Sequence, residues 1–303
     1  MKRTIPDHMT HRTIVQAIAE TIRSRYVFAN TAERVASHLL QQMDSGAYDT
    51  IDATALATRL TDDLRQVSGD LHLRVRYAAQ PHVPEAPGDT VREQNDRAEH
   101  CRKMGFGIAS VYRLDDDIAV IDIRELVEPE LSRSAFETAL TSVADASALA
   151  IDLRKCVGGD PSTVGLICAH LLDHRTQLSS MVPRSAPEDH FWAAPTPYPH
   201  RFGGKKPLCI AVAKFTFSGA EMLAYDLQAM GRALVVGEST GGGAHGCLFH
   251  WPSPHFSLLL AEARPVNPIT ADNWERVGVT PDVACAEEDA VRVAAALVLR
   301  AAK

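Results

Sequence analysis

The sequence predicts an α/β protein: a core of buried strands and helices, preceded by a small helical domain. Three observations predict it. A buried strand, a glycine turn and a helix follow one another twice, at 149–153, Gly158-Gly159 and 162–172, and again at 208–213, Ser218-Gly219 and a helix that Gly231 stops. The runs at Ile118–Ile123, 233–236 and 256–261 are apolar but for Asp122 and Ser257, as strands covered on both faces should be. Residues 11–68, by contrast, show apolar residues only at helical spacing.

Taken in order, the first helix carries Ile14, Val15, Ile18, Ala19 and Ile22. The second opens on Asn30-Thr-Ala-Glu33, the pattern of a capping box, carries Val35, Leu39, Leu40 and Met43, and ends at Gly46. The third carries Leu56, Leu60, Leu64 and Val67 and ends at Gly69. Alternation over Leu71-His72-Leu73-Arg74-Val75 suggests a short strand. The domain boundaries follow: residues 1–77 helical, 78–109 a proline-bearing linker with a short charged helix, 110–303 the core. Within the core a helix over about 133–144 joins two strands, Asp160-Pro161 caps and opens the next helix, and a last helix covers Ala290–Ala301. Residues 181–207 hold six prolines with Phe191, Trp192 and Tyr198, and are expected to form a long irregular segment over a cleft, its aromatics either contacting substrate or packing onto the core.

Composition excludes several functions. With 303 residues, 46% hydrophobic and 23% charged, the chain is long and apolar enough for a sizeable core. Its net charge of −7, without basic clusters, gives no footprint for nucleic acid. No apolar run suits a signal peptide or a membrane span. Six cysteines without a CxxC pair are expected to be reduced thiols of a cytoplasmic protein, Cys168 and Cys209 in the core.

Ser218 stands where a strand turns into a helix. A hydroxyl there is placed for nucleophilic attack, and the helix N-terminus favours negative charge beside it. A helix cap is the other reading of the same residue. The glycines at 158 and 159 either shape a tight turn or, with the amide of Gly219, present converging N–H groups to an oxyanion.

The segments TFSGAE, AYDLQAMGRALVVGE and TGGGAH resemble the S41, or tail-specific (C-terminal processing), serine peptidase family, and most of all its interphotoreceptor retinoid-binding protein branch. SGDLHLRVRY, AIDLRKCVGGDPSTV, NPIT and NWERVGVTPDV are similar to further family segments, in the same order. The resemblance implies a crotonase/ClpP-like ββα core; residues 78–109 are too few for the PDZ module that many members carry. It implies Ser218 as nucleophile, His72 as general base, a role that suits a group titrating near neutrality, and Glu275 as the acid that orients the imidazole. It implies oxyanion donors at Gly158 or Gly159 and at Gly219. Gly243 stands where other members have a lysine, which speaks against a Ser–Lys dyad. Two departures are Lys155-Cys156-Val157, where the family has small residues and Asn, and Leu71, where the tricorn-like type has a second serine. His245, close to the glycine loop, and Arg154 are accessory candidates. No cofactor or metal is expected. The expected partner is a peptide or small acyl substrate, with no nucleic acid or membrane partner and a homo-oligomer allowed. The competing expectation is a non-proteolytic member that binds an apolar molecule or performs an esterase or cyclase step in the same cleft.

Overall fold

The computed structural model describes residues 10–82, 89–114, 117–194 and 200–301. In chain order the elements are α1 (His11–Arg25), α2 (Ala29–Asp44), α3 (Ala53–Ser68), β1 (Arg74–Tyr77), α4 (Asp89–Lys103), β2 (Ile108–Leu114), β3 (Ile118–Ile123), α5 (Pro129–Ser142), β4 (Ala148–Asp152), α6 (Pro161–Leu171), β5 (Thr176–Pro183), β6 (Asp189–Ala193), β7 (Leu208–Val212), α7 (Gly219–Ala229), β8 (Leu234–Gly237), β9 (Gly246–Ser253), β10 (Phe256–Val266), β11 (Val283–Ala284) and α8 (Ala290–Ala301). They group into two compact units. The first comprises Met1–Glu85, Val182–Pro187 and His245–Arg264; the second comprises Ala86–Met181, Glu188–Ala244 and Pro265–Lys303.

In the first unit the three helices bury the faces their spacing predicts, Ile14, Ile18 and Ile22 against Val35, Leu39, Leu56, Leu60 and Leu64. The same core takes Val75 from β1 and Phe256, Leu258 and Leu260 from β10, which pairs antiparallel with β1 and with β9. The core is therefore not made by residues 1–77 alone. The expected capping box does not form: α2 starts at Ala29 after an uncapped Phe28, and Glu33 instead takes both Nε and Nη2 of Arg23 at 3.0 Å. That bidentate pair competes with the backbone for the one carboxylate.

The second unit is built on a six-stranded sheet of order β11-β8-β7-β4-β3-β2, parallel except for the edge strand β2. Successive residues of β3 serve opposite faces. Ala119, Ile121 and Ile123 join the core that includes residues of α5, α6 and α7, while Ile118 and Val120 pack with Ala294 and Val298 of α8. Both faces are covered, which is why these strands are apolar without alternation. This is the crotonase-like α/β core with N-terminal helices that the motifs imply. Between β1 and β2 the described residues hold α4 and a 3-10 turn at Gly105–Gly107, and no separate module.

The described part of residues 181–207 is less irregular than expected. β5 and β6 form an antiparallel hairpin there, with Thr176 opposite Ala193 and Met181 opposite Asp189. Pro183 ends β5 and Pro187 lies in the connection, so these prolines bound strands rather than prevent them.

Candidate active site

β4 and β7 are adjacent parallel strands, and their C-terminal ends carry the two glycine turns. That edge of an open α/β sheet is where ligands bind. Ser218 has φ 55° and ψ −125°, far from the extended backbone of an ordinary helix cap. A non-glycine residue there stores roughly 1–3 kcal/mol of strain. The surrounding contacts hold it in place. Glu221, fully buried on the first turn of α7, accepts the Ser218 N–H at 2.8 Å with Oε2. Oε2 also accepts the Gly243 N–H at 2.9 Å, and Oε1 accepts the Gly242 N–H at 2.7 Å and the Thr240 hydroxyl. One carboxylate thus ties the serine turn to the glycine loop after β8. Burial pushes its pKa up, and these hydrogen bonds only partly oppose that.

The glycine turn after β4 is packed against Ser218 with no room for a side chain. A Cβ on Gly158 would lie 2.7 Å from the Gly219 nitrogen and 2.8 Å from the Ser218 Cβ. One on Gly159 would lie 2.2 Å from the Leu126 carbonyl oxygen, and one on Gly219 2.6 Å from that of Gly159. Gly158 and Gly159 also have φ of 94° and 137°. Cys156, in the same turn, is a buried thiol that desolvation pushes up to about 12. The amides of Gly158, Gly159 and Gly219 donate no backbone hydrogen bond among the described residues. Arg154 lies back along the strand end, bound to Asp152 through Nε at 2.9 Å and to the Glu287 carbonyl at 2.8 Å.

Glu275 follows the buried Trp274, whose indole N–H donates to the Gly243 carbonyl at 3.0 Å. The Arg276 N–H donates to the Gly242 carbonyl at 2.8 Å, and the Ala244 N–H donates to Glu275 Oε2 at 2.8 Å. The glycine loop is therefore held from one side by Glu221 and from the other by 274–276. Asn267 of the NPIT segment supports α7 from below: its side-chain amide donates to the buried Asp226 at 2.8 Å, which also accepts both the N–H and the hydroxyl of Ser179.

The histidines belong to the first unit. His72 lies in the turn before β1, not in a strand: Leu71 is exposed while Leu73 and Val75 point inward, and Asp70 Oδ1 accepts the His72 N–H at 2.9 Å. Its ring is buried, with Nδ1 3.8 Å from Asp70. Burial lowers its pKa to about 4, although Asp70 opposes this, so it does not titrate near neutrality as expected. His245 is held more firmly: its Nδ1 is 2.7 Å from Asp70 Oδ2, which also accepts the Tyr26 hydroxyl at 3.1 Å, and its ring meets Phe28 edge-on. Burial pushes the Asp70 carboxyl up, but the His245 hydrogen bond and the charges of both histidines hold it below its ordinary value.

Phe191 packs against the main core from β6, Trp192 lies 3.6 Å beneath the Arg175 guanidinium, and Tyr198 is outside the described residues. The sequence reading missed Glu221 and Asp70. An acidic residue three positions after the serine and the first residue of the DLH triplet were the available signals.

Comparison with known proteins identifies the family. Residues 117–285 match the model of peptidase family S41, and residues 5–106 match the N-terminal domain of Peptidase_S41 in eukaryotic IRBP. The chain belongs to peptidase family S41. It is a serine peptidase/hydrolase of that type. A candidate peptidase from Parabacteroides merdae has the same fold at 16% identity, with TM-score 0.68 over 96% of this chain and 98% of that one. The photosystem II D1 C-terminal processing protease matches at 14% identity and TM-score 0.55, over 93% and 94% of the two chains. The tricorn protease matches at 12% identity and TM-score 0.60, over 96% of this chain and 37% of the larger one. Among the described residues no helix of this S41 chain is long and apolar enough to cross a membrane.

Proposed function

We propose that this S41 protein hydrolyses a peptide or related acyl bond with Ser218 as nucleophile, His72 as base and Glu275 as the orienting acid. The observation that carries the reading is the Ser218 backbone, held in a strained turn by Glu221 where a cap residue would be extended. The Ser218 oxygen bonds to the substrate carbonyl carbon and its proton passes to the imidazole. The scissile bond breaks, and the leaving group departs with that proton. Water attacks the acyl carbon as the imidazole takes its proton, the Ser218 ester bond breaks, and Ser218 regains its hydrogen. The Gly219 amide, with that of Gly158 or Gly159, receives the oxyanion; none of the three donates a backbone hydrogen bond among the described residues.

One observation favours a second base. Asp70 holds His245 through Nδ1, as a carboxylate does when it orients a catalytic imidazole, and stands 3.8 Å from His72. The four buried thiols, Cys101, Cys156, Cys168 and Cys209, support the cytoplasmic assignment, since a reducing compartment keeps such cysteines unpaired.

The test is labelling by a fluorophosphonate probe, with the modified peptide identified by mass spectrometry. Wild type is expected to be labelled at Ser218, and Ser218→Ala not at all. His72→Ala should block labelling while His245→Ala retains it; the reverse result moves the base to His245. A folded wild type that the probe does not label is a ligand-binding member of the family rather than a hydrolase.

A further inference from the structure

A cavity of about 610 Å³ lies beside the Ser218 turn, within the second unit. Its wall is a run of backbone hydrogen bonds. The Arg124 N–H donates to the Gly107 carbonyl, the Val157 N–H to the Arg124 carbonyl, and the Phe217 N–H to the Cys156 carbonyl. Val157 thus adjoins Gly158, on which a Cβ would lie 2.8 Å from that of Ser218, and Phe215 lies three residues before the nucleophile. The wall is close-packed: Gly107 has φ 89°, and a Cβ there would meet the Glu125 carbonyl oxygen at 2.0 Å.

The lining combines apolar side chains with charges that balance. Met104, Val157 and Phe215 present their side chains to it at 56%, 51% and 58% exposure, among the most exposed large apolar residues described in this chain. Apolar surface gathered in a concavity of this size marks a ligand site more than solvent-facing scatter. Its charged members, Arg124, Lys155, Glu125 and Glu287, are two of each sign. Arg124 is bound to Asp122 with Nε at 2.6 Å, and Glu125 lies 3.7 Å from Arg97.

We propose that this cavity is the subsite for an uncharged, apolar group of the substrate next to the bond that Ser218 attacks, a proposal that rests on Ser218 as the nucleophile. Burying such a group against Met104, Val157 and Phe215 supplies binding energy at the reacting centre, which raises kcat/KM for apolar over polar substrates.

The experiment compares the rates at which a decyl and an ethyl fluorophosphonate label Ser218 in the full chain. In each, the Ser218 oxygen bonds to phosphorus and fluoride leaves, so only the alkyl group differs. The decyl probe should react at least tenfold faster with wild type. Met104→Glu should remove most of that preference, read as the ratio of decyl to ethyl labelling rates; Phe215→Ala should reduce the ratio. Equal decyl and ethyl rates in wild type, or a preference that both substitutions leave intact, would overturn the subsite while keeping the nucleophile. No labelling by either probe would overturn the nucleophile, and the subsite with it.

Discussion

At the residue scale, Ser218 separates strain from chemistry. Ser218→Ala keeps the unfavourable φ of 55° and loses the hydroxyl; Ser218→Gly loses the hydroxyl and relieves the backbone. Both variants should be inactive, and the glycine variant should melt above the alanine variant by about 2–4 °C per kcal/mol of strain released. Equal melting temperatures would mean that the turn is unstrained. His72 makes a second prediction. Its folded pKa of about 4 lies below the unfolded value of 6.5, so the unfolded state binds more protons between those values. The contribution of the buried neutral ring is intact above pH 6.5 and is lost as pH falls to about 4, a slope that His72→Gln should remove from a denaturation-versus-pH series. If His72 is the base, kcat/KM should rise through about pH 4 rather than the ordinary histidine value. An acid limb near 6.5 would assign the base role to another group.

At the scale of elements, the site is two neighbouring strand ends whose turns fit together only because they lack side chains. Gly158→Ala places a methyl 2.6 Å from the Phe217 carbonyl oxygen and 2.7 Å from the Gly219 nitrogen. Both contacts are backbone and cannot yield cheaply. Fluorophosphonate labelling should fall by at least about tenfold even where the variant still folds, since displaced donors remove oxyanion stabilisation worth about 10²–10³ in rate. Glu221→Gln tests the clamp between the serine turn and the glycine loop. The amide turns an acceptor into a donor facing N–H groups, and each buried donor left unpaired costs about 1–3 kcal/mol. The melting temperature should therefore drop by more than Ser218→Ala lowers it. If Glu221→Gln matches wild type in stability and labelling, Glu221 is no clamp.

At the scale of the whole molecule, the chain enters the first unit three times, so its helices do not make a free-standing domain. Phe256, Leu258 and Leu260 of β10 are buried in the core of the first unit, and β10 also supplies the hydrogen-bonding partner of β1. Three such side chains at about 1.5–3 kcal/mol each approach the entire stability of a small domain, about 5–15 kcal/mol. A fragment of residues 1–77 should accordingly show helical circular dichroism without a cooperative melt. A sharp thermal transition in that fragment would show that the three helices suffice.

The division between sequence and tertiary structure follows from the range of each force. Ser218 at a strand–helix junction, the Asp160-Pro161 helix start, Gly69 as a left-handed helix end and the doubly buried strands were legible because caps, turns and periodicity act within a few residues. Ordered motifs alone identified the family. Distant partners decided the rest. Glu33 left its capping box for Arg23, and prolines expected to mark a loop bound a hairpin. Asp70 took its hydrogen bond from His245, 175 residues away, and burial carried His72 to a pKa that no local pattern encodes. A carboxylate such as Glu221 looks like any helix-start acid in one dimension. Only the folded chain brings four donors to it, and desolvation makes each of those bonds matter.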